Sequence, residues 1–314
     1  MKWDERIGRH LKLRDLHIFM TVAQQGSMGR AAKHLAVSQP VVSKTISDLE
    51  RMLKVRLLDR TMKGVEPTLY GSALLRRGAI VFDELGHSVK EIEFLANPTA
   101  GEVWIASIEA LNSTFLPAII DRLNRKFPRL TFHVPSIPPT TPEHLKVLHE
   151  RAVDLALTYL ATPFEHDDLM AEFLYQETMT VAAAPDSKWA RRRKIELGEL
   201  VDEPWCLPMK DSLGAPLVSR AFRERGLPPP RNFVSTDSVQ LRQALVATGR
   251  ALCFASRSRL RLSGKRLGLK AVPVDLHIPL GSVAIVTLKN RTVNPAAELF
   301  IEYARQLAKQ LAAA

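Results

Sequence analysis

Hydrophobic positions recur every three to four residues from Leu13 to about Ala96, and prolines are rare in this stretch. Such spacing is typical of amphipathic helices. After the turn-rich segment 97–101 the hydrophobic pattern changes, and short runs of Val, Ile and Leu alternate with helical segments. The predicted elements are strand 103–108, helix 116–127, strand 130–134, helix 144–150 and strand 153–159. This alternation predicts βαβ units around a buried sheet.

The N-terminal pattern predicts short helices joined by a tight turn. A helix over 14–25 is closed by Gly26, and Ser27 caps a second helix that runs to about Leu35. A third helix begins after the cap residue Ser38. The apolar stripe of this third helix, which must face a core, consists of Val42, Ile46, Leu49 and Leu53. Two such helices with a tight turn between them describe a helix-turn-helix.

The opposite face of the third helix carries hydroxyls, an amide and cations, which suit base edges and phosphates in a major groove. A basic hairpin over 56–68, with its turn at Lys63-Gly64, predicts a wing near the DNA backbone or minor groove. Taken alone, that hairpin fits a solvated turn equally well. The candidate DNA-binding residues are Ser27, Arg30, Ser38, Gln39, Pro40, Ser43, Lys44, Ser47, Arg60, Thr61 and Lys63.

The charge distribution points to the same part of the chain. The 314 residues carry a net charge of +11, and residues 1–70 hold +6 of it, so the first segment is much more basic per residue than the rest. A concentrated basic excess favours a polyanionic partner. Hydrophobic residues make up 46% of the chain, which excludes a disordered protein.

Other features argue against further classes of site. Cys206 and Cys253 lie far apart and outside any metal-ligand spacing, so neither a disulfide framework nor a metal site is expected. The run Glu165-His166-Asp167-Asp168 is expected to be a solvated loop, because adjacent residues do not easily converge on one ion. No apolar run approaches the ~20 residues that span a bilayer, and the N-terminus lacks a signal-like apolar core. We therefore expect a cytoplasmic protein without a membrane partner and without a cofactor.

A specific set of residues lies in and around the predicted turn: Ala31-Ala32, Leu35, the run Val37-Ser38-Gln39-Pro40-Val41-Val42-Ser43, Ile46, Leu49-Glu50, Leu53, Leu57-Leu58 and Arg60. Together they resemble the winged helix-turn-helix of the LysR-type bacterial transcriptional regulators. The chain departs from the family pattern at three positions. Gly29 stands where the family usually has Thr, Lys54 where it commonly has Gly, and Leu58 where it commonly has Phe. The resemblance implies double-stranded promoter DNA and RNA polymerase as partners, and control by a small-molecule effector.

A seam of heptad type follows Thr68, which caps a further helix. Its members alternate at steps of three and four residues: Leu75, Gly78, Phe82, Leu85, Val89, Ile92 and Ala96. The seam fits either a helix lying on its own domain or a self-association surface. The resemblance favours the second, since the family dimerises through such a linker helix, and it implies a homodimer or homotetramer that binds a pseudo-palindromic site.

The resemblance also implies that the rest of the chain forms two lobes of periplasmic-binding-protein type with an effector in the cleft between them. The predicted fold class is α/β with an N-terminal all-α winged helix-turn-helix, a long linker helix and a two-lobed effector domain. We expect these parts at residues 1–70, 71–97 and 98–314. Within the last part, lobe 1 is expected at about 101–173 and 280–314, and lobe 2 at about 174–275.

Ligands in open α/β sheets usually bind where strands end and helices begin. Polar residues at these positions, which suit a carboxylate or another polar metabolite, are Ser107, Asn112, Ser113, Ser136, Thr158, Ser235, Thr236 and Asp237. The same residue types are preferred helix caps, so each of them also has a purely structural interpretation.

Two other function classes are weighed against a regulator. A solute-binding receptor fits the two-lobed body, but it does not explain the N-terminal module. An enzyme that uses the cleft would need a catalytic motif, and the sequence has no Gly-x-Ser-x-Gly elbow, no Gly-rich phosphate loop and no His-Glu-x-x-His. The expected function is therefore sequence-specific DNA binding controlled by an effector.

Overall fold

The computed structural model describes residues 11–61, 64–135, 141–212, 214–276 and 278–312. The chain divides into two compact units, residues 1–88 and 89–314. Two candidate site residues, Lys63 and Ser136, lie outside the described residues, and Arg60 is placed by its backbone alone.

The first unit is built from helices and one hairpin. Its elements are α1 (Leu13–Gln25), α2 (Met28–His34), α3 (Gln39–Leu53), β1 (Leu58–Thr61) and β2 (Gly64–Pro67). The helix bounds agree with the predicted ones to within one residue. The long helix α4 (Leu69–Ala96) follows and crosses the boundary between the two units.

Residues with left-handed backbone end these helices. Gly26 closes α1 with a φ of 60°, and Ala36 forms the turn before α3 with a φ of 53°. Lys54, where the family pattern has glycine, closes α3 with a φ of 58° and donates its backbone N–H to the Glu50 carbonyl. The departure at Lys54 therefore preserves the C-cap conformation that glycine would favour.

The second unit has two lobes. The first contains β3 (Ala100–Ser107), α5 (Glu109–Asn112), α6 (Phe115–Lys126), β4 (Arg129–His133), α7 (Thr141–His149) and β5 (Leu155–Leu160), and β6 (Leu169–Ala183) leads out of it. The second contains β7 (Trp205–Leu207), α8 (Ala215–Arg223), β8 (Asn232–Ser235), α9 (Val239–Ala247), β9 (Leu252–Ser256), α10 (Arg257–Ser263) and β10 (Lys270–Ala271). The chain returns through β11 (Ile278–Leu288) and α11 (Pro295–Ala312).

One mixed sheet connects both lobes in the order β4-β3-β5-β11-β6-β9-β7-β8, with β10 beside β6. Strand β3 runs parallel to β4 and β5, and β7 runs parallel to β8 and β9, so both lobes contain the predicted parallel units. The antiparallel pair β6 and β11 carries the chain between the lobes. Gly281 pairs with Glu177 at an irregularity in this pair. Its φ of 101° and the Leu160 carbonyl 2.7 Å from the place of a Cβ require glycine.

Each lobe has its own apolar core. In lobe 1, α11 packs Ala297, Phe300 and Ala304 against the sheet. In lobe 2, Trp205 is fully buried, stacks on Phe254 and donates its indole N–H to a backbone carbonyl. In the part of the chain that the structure describes, no helix has the length and apolarity to cross a membrane.

Candidate functional sites

The third helix presents a polar face opposite its buried stripe. Val42, Ile46 and Leu49 are buried in the core of the first unit. The candidate residues on the other side are exposed or half-buried: Ser38, Gln39, Pro40, Ser43, Lys44 and Ser47. An exposed helix end with an amide, hydroxyls and a cation has the composition of a recognition helix.

The two serines predicted as helix caps differ in the structure. The Ser27 hydroxyl accepts a hydrogen bond from the Arg30 backbone N–H at 3.4 Å and caps α2, as the sequence predicts. Ser38 occupies the N-cap position of α3, as the sequence predicts, but its side chain makes no capping hydrogen bond. The exposed Ser38 hydroxyl is therefore available to a partner at the N-terminal end of α3.

The β1–β2 hairpin is fixed to the helices by backbone contacts. The Val65 N–H donates to the Gly26 carbonyl at 3.0 Å. Gly64 has a φ of 136°, and a Cβ there would lie 2.3 Å from the Gly26 oxygen, so only glycine fits. Thr61 is exposed, and its hydroxyl donates to the Gly64 carbonyl at 3.4 Å. The hairpin is therefore held in place beside α1 as a wing.

Glu50 links the recognition helix to this wing. Its Oε1 accepts hydrogen bonds from the backbone N–H groups of Leu57 at 2.8 Å and Leu58 at 3.2 Å. Leu57 and Leu58 are buried and lie where the chain enters β1. One carboxylate thus positions the start of the hairpin relative to α3.

We expect Glu50→Ala to lower the free energy of unfolding of the first unit by about 2 kcal/mol, because hydrogen bonds to a charged acceptor are lost and two amides are left unpaired. Hydrogen–deuterium exchange will detect this as faster exchange of the Leu57 and Leu58 amides. Asp48→Ala, which removes an exposed pair with Arg51, is the control and should change stability by less than about 0.5 kcal/mol. Unchanged exchange at residues 57 and 58 in Glu50→Ala would contradict the linking role.

Three of the candidate effector residues come together in lobe 1. Ser107 ends β3 and pairs in register with Leu157, so Thr158 follows at the same end of the neighbouring strand. Asn112 donates its side-chain N–H to the Ser107 carbonyl at 3.4 Å. The Ser107 Oγ and the Asn112 Oδ1 are buried and have no hydrogen-bond partner among the described residues. Such unpaired buried polar atoms are costly unless a ligand or water completes them.

The other candidates in the structure have local roles. Ser113 ends the short helix α5 and donates its hydroxyl to the Ala110 carbonyl at 3.1 Å, rather than facing an open helix start. In lobe 2, Thr236 accepts from the Ser238 N–H and Asp237 accepts from the Met209 N–H. Ser235 is exposed at the end of β8. The structural interpretation as turn and cap residues thus accounts for the hydrogen bonds of Ser113, Thr236 and Asp237.

Two arginines that the sequence analysis did not select lie near these positions. Arg259 on α10 is 6% exposed and donates from Nη2 to the Gln243 Oε1 at 2.9 Å, while its Nε lacks a partner among the described residues. Arg242 on α9 is half-buried and donates to the Thr236 carbonyl at 3.3 Å. Neither forms an ion pair within the described ranges. Burial, together with the neighbouring Arg242 cation, holds the pKa of Arg259 below its usual range.

Arg259 connects the two lobes electrostatically. The groups of lobe 1 that interact with its charge are Tyr159, at the end of β5, and Glu109, at the start of α5. The Tyr159 hydroxyl is buried, and burial raises the pKa of Tyr159, although the Ser256 side chain opposes the shift. The sequence does not single out Arg259, because Arg257 lies in the same first turn of α10 and is exposed.

A buried carboxyl lies at the crossing between the lobes. Glu177 on β6 is 2% exposed and accepts hydrogen bonds from the Ser258 hydroxyl and the Thr178 backbone N–H. Burial raises the pKa of Glu177, although the hydrogen bonds from Ser258 oppose the shift. Because Ser258 immediately precedes Arg259, this contact holds the start of α10 against the crossover strand.

The seam of α4 divides into two parts. Leu75 and Phe82 pack against the core of the first unit, and Gly78 lies against Leu16 and Met20, where a Cβ would come within about 3.1 Å of their side chains. Further along, the apolar residues are exposed: Leu85 by 42%, Val89 by 55%, Ile92 by 66% and Leu95 by 72%. The interpretation of a helix lying on its own unit therefore holds for the part up to Phe82, and self-association stays a prediction for the exposed part.

The cysteines are structural. Cys206 and Cys253 are free, buried and paired in register on β7 and β9. Burial raises the pKa of the Cys253 thiol to about 11. A thiol with so little thiolate is a poor nucleophile and a poor metal ligand.

Comparison with known proteins identifies both parts of the chain. Residues 13–72 match the family described as bacterial regulatory helix-turn-helix protein, lysR family. Residues 96–309, about two thirds of the chain, match the LysR substrate binding domain.

Curated relatives extend over nearly the whole chain. The HTH-type transcriptional regulator GbpR of Azospirillum brasilense is 28% identical over 296 residues, covering 91% of this chain and 84% of the relative. The HTH-type transcriptional regulator TdcA of Escherichia coli K12 is 26% identical over 295 residues, covering 94% and 93%. Both relatives are thus named as regulators of transcription.

Solved structures show the same fold. A full-length OxyR variant from Pseudomonas aeruginosa aligns with a TM-score of 0.61 at 22% identity, covering 95% of each chain. Full-length CbnR in complex with its target DNA aligns with a TM-score of 0.58 at 21% identity, covering 94% of this chain and 99% of CbnR. With both family matches in the expected order, the chain belongs to the LysR family of transcriptional regulators, which combine a helix-turn-helix with an effector-binding domain.

Proposed function

We propose that this regulator binds double-stranded promoter DNA as a dimer or tetramer in the cytoplasm, and that an anionic small molecule beside Arg259 controls its contacts with DNA and RNA polymerase. The proposed domains are those expected from the sequence: a DNA-binding domain at 1–70, a linker helix at 71–97 and an effector-binding domain at 98–314. The observation that carries the effector part is the buried Arg259 guanidinium without an ion-pair partner among the described residues.

Base reading is assigned to the exposed start of α3. Gln39 has the amide that forms bidentate hydrogen bonds with adenine, and Ser43 and Ser47 have hydroxyls that bond either donors or acceptors. Lys44 and Arg30 are exposed cations that suit the phosphates on either side. From the wing, Arg60, Thr61 and Lys63 are assigned to the flanking backbone or minor groove.

We expect Gln39→Ala to weaken binding to the preferred operator by about 1–3 kcal/mol and to leave binding to random DNA almost unchanged, because only a base contact is lost. The operator is first identified by genome-wide mapping of bound DNA, and affinities are then measured by fluorescence anisotropy at one fixed salt concentration.

Gln24→Ala is the matched control, since Gln24 is exposed on α1, outside the face assigned to DNA. It should retain the wild-type ratio of operator to random-DNA affinity. An unchanged ratio in Gln39→Ala as well would remove Gln39 from the base-reading face.

The chemical class of the effector follows from charge. Two arginines, Arg242 and Arg259, raise the local positive potential, and Ser107 and Asn112 contribute buried polar atoms without partners. A buried cation without a counterion is unfavourable, and a bound carboxylate would compensate it. Arginine also binds carboxylates in a bidentate geometry that neutral metabolites do not provide. These features support a carboxylate as the effector.

A ligand in this position would act on the relation between the lobes. Arg259 belongs to lobe 2, whereas Ser107, Asn112 and Tyr159 belong to lobe 1, so an anion bound by both favours one arrangement of the lobes. The arrangement changes DNA and polymerase contacts only to the extent that the effector binds one state more tightly than the other. Strands β6 and β11, which run between the lobes, are the elements proposed to transmit that difference.

A further inference from the structure

A second cluster of functional side chains lies on the outer side of lobe 1. His149, the last residue of α7, has its Nε2 2.8 Å from the Asp168 Oδ2. His166 has its Nδ1 3.4 Å from the Asp168 Oδ1. One ligand atom from each of the three residues lies within 4.8 Å of the others, and all three side chains are solvent-accessible. The carboxylate thus stands between two imidazole rings.

We propose that His149, His166 and Asp168 bind a divalent late first-row transition ion such as Zn²⁺. Such ions bind imidazole nitrogen and carboxylate oxygen at about 2.0–2.2 Å, which places donors of a tetrahedral site about 3.3 Å from each other. The measured separations of 2.8 Å and 3.4 Å lie close to that value. The donor atoms of the two imidazoles lie within 4.8 Å of each other, so an ion requires side-chain rotations that draw them together, which an exposed surface permits.

The loop that carries two of the ligands is already fixed. The Lys289 Nζ donates to the backbone carbonyls of His166 at 2.8 Å and Asp167 at 3.0 Å, and the Lys289 N–H donates to the Asp168 carbonyl at 2.9 Å. Phe164 stacks on the His166 ring with centroids 5.5 Å apart. Ligands held in this way lose less conformational entropy when the ion binds.

The ligand set indicates the chemistry of the ion. Two imidazoles and one carboxylate suit Zn²⁺, Ni²⁺, Co²⁺ and Cu²⁺, whereas Mg²⁺ and Ca²⁺ prefer oxygen ligands alone. Because the cluster is exposed, water completes the coordination. A bound ion would fasten the end of α7 to the loop before β6, the strand that runs to lobe 2.

Sequence reasoning missed this site for a specific reason. The run from Glu165 to Asp168 offers neighbouring side chains that do not converge by themselves. The fold adds His149 from a helix that ends sixteen residues earlier in the sequence, and this third ligand converts a polar loop into a site with two imidazoles.

The test is a titration of the full-length chain, free of any histidine tag, with Zn²⁺ in a calorimeter and with Co²⁺ followed by visible absorption. We expect one ion per chain at this site and a loss of affinity of at least about tenfold in His149→Gln and in His166→Gln. The expected Co²⁺ absorption is that of a site with nitrogen ligands, and it should be lost in both variants. All these residues are exposed, so the variants should fold normally.

His133→Gln is the matched control, because His133 lies 3.5 Å from a single carboxylate, Glu102, and among the described residues no second imidazole joins them in a cluster. Its Zn²⁺ affinity should remain within about twofold of the wild type. Absence of binding by the wild-type chain, or equal affinity in the wild type and both site variants, would overturn the proposal and leave the cluster as a surface ion pair.

Discussion

The Ile92→Glu variant is expected to be monomeric and to bind operator DNA about 10²–10⁴-fold more weakly than the wild type. Loss of the second recognition helix removes the gain from binding two half-sites at once, which has this order of magnitude. Analytical ultracentrifugation measures the first effect, and fluorescence anisotropy with the mapped operator measures the second.

The physical reason lies in the distal part of α4. Ile92 is 66% exposed, and Leu85 and Val89, which precede it on the seam at steps of four and three residues, are exposed as well. An apolar stripe of this length on a helix at heptad spacing is stable when a second helix covers it. A glutamate at its centre would bury one charge from each chain against the other, which costs several kcal/mol.

Gly86→Glu is the control on the same helix. Gly86 is exposed, nothing lies within 4 Å of the place of its Cβ, and it is off the apolar stripe. The variant changes the net charge as Ile92→Glu does, but it should remain dimeric and keep its DNA affinity. If the Ile92→Glu variant is dimeric, or is monomeric with wild-type operator affinity, this stripe is not the contact that joins the two DNA-binding domains.

The elements of the first unit were predictable because their signals are local. Gly26, Ser27 and Pro40 each determine the conformation of their own turn, and the spacing of Val42, Ile46 and Leu49 defines a buried face without reference to the rest of the chain. The helix bounds accordingly agree to within one residue. The Ser38 hydroxyl differs, since a cap residue type predicts the backbone position better than it predicts the hydrogen bond of its side chain.

The apolar seam of α4 was predictable from the sequence, but its division into a covered part and an exposed part was not. The sequence gives Leu75, Phe82 and Ile92 the same apolar periodicity. Only the folded first unit shows that Leu75 and Phe82 are covered by its own core while Ile92 is exposed. The periodicity of a sequence shows that one face of a helix is apolar. Which part of the protein covers that face is determined by the tertiary structure.

The candidate effector site was also only partly predictable from the sequence. Ser107, Asn112 and Thr158 were found by the rule that ligands bind at strand ends, and they lie together in lobe 1. Arg259 was missed, because its burial and its electrostatic interaction with Tyr159, about 100 residues away in the sequence, depend on the tertiary structure. The polar residues before α9 were selected by the same rule, although Thr236 and Asp237 accept hydrogen bonds from backbone N–H groups of the fold itself.

The Arg259→Met variant is expected to unfold at a higher temperature than the wild type without ligand and to lose effector binding. Methionine has a similar length and removes a buried cation without an ion-pair partner among the described residues. Even buried ion pairs are often replaced by apolar side chains with a gain of about 1–4 kcal/mol, and an unpaired buried cation is less favourable than a paired one. Gln243 keeps its contact with the Leu267 carbonyl, so the substitution leaves that amide partly satisfied. Differential scanning calorimetry of the full chain measures the stability.

The binding measurement uses a panel of small mono- and dicarboxylates, from which the one that most stabilises the wild type is titrated by calorimetry. Loss of the charged partner should weaken its affinity by about 2–5 kcal/mol, a factor of about 30 or more. Arg257→Met, two residues away and exposed, removes the same charge and should alter neither quantity beyond small changes. Wild-type carboxylate affinity in Arg259→Met would contradict the anchoring role. A lower melting temperature in Arg259→Met would show instead that the buried guanidinium stabilises the fold. A cation that serves to bind a ligand is expected to destabilise the protein as long as no ligand is bound.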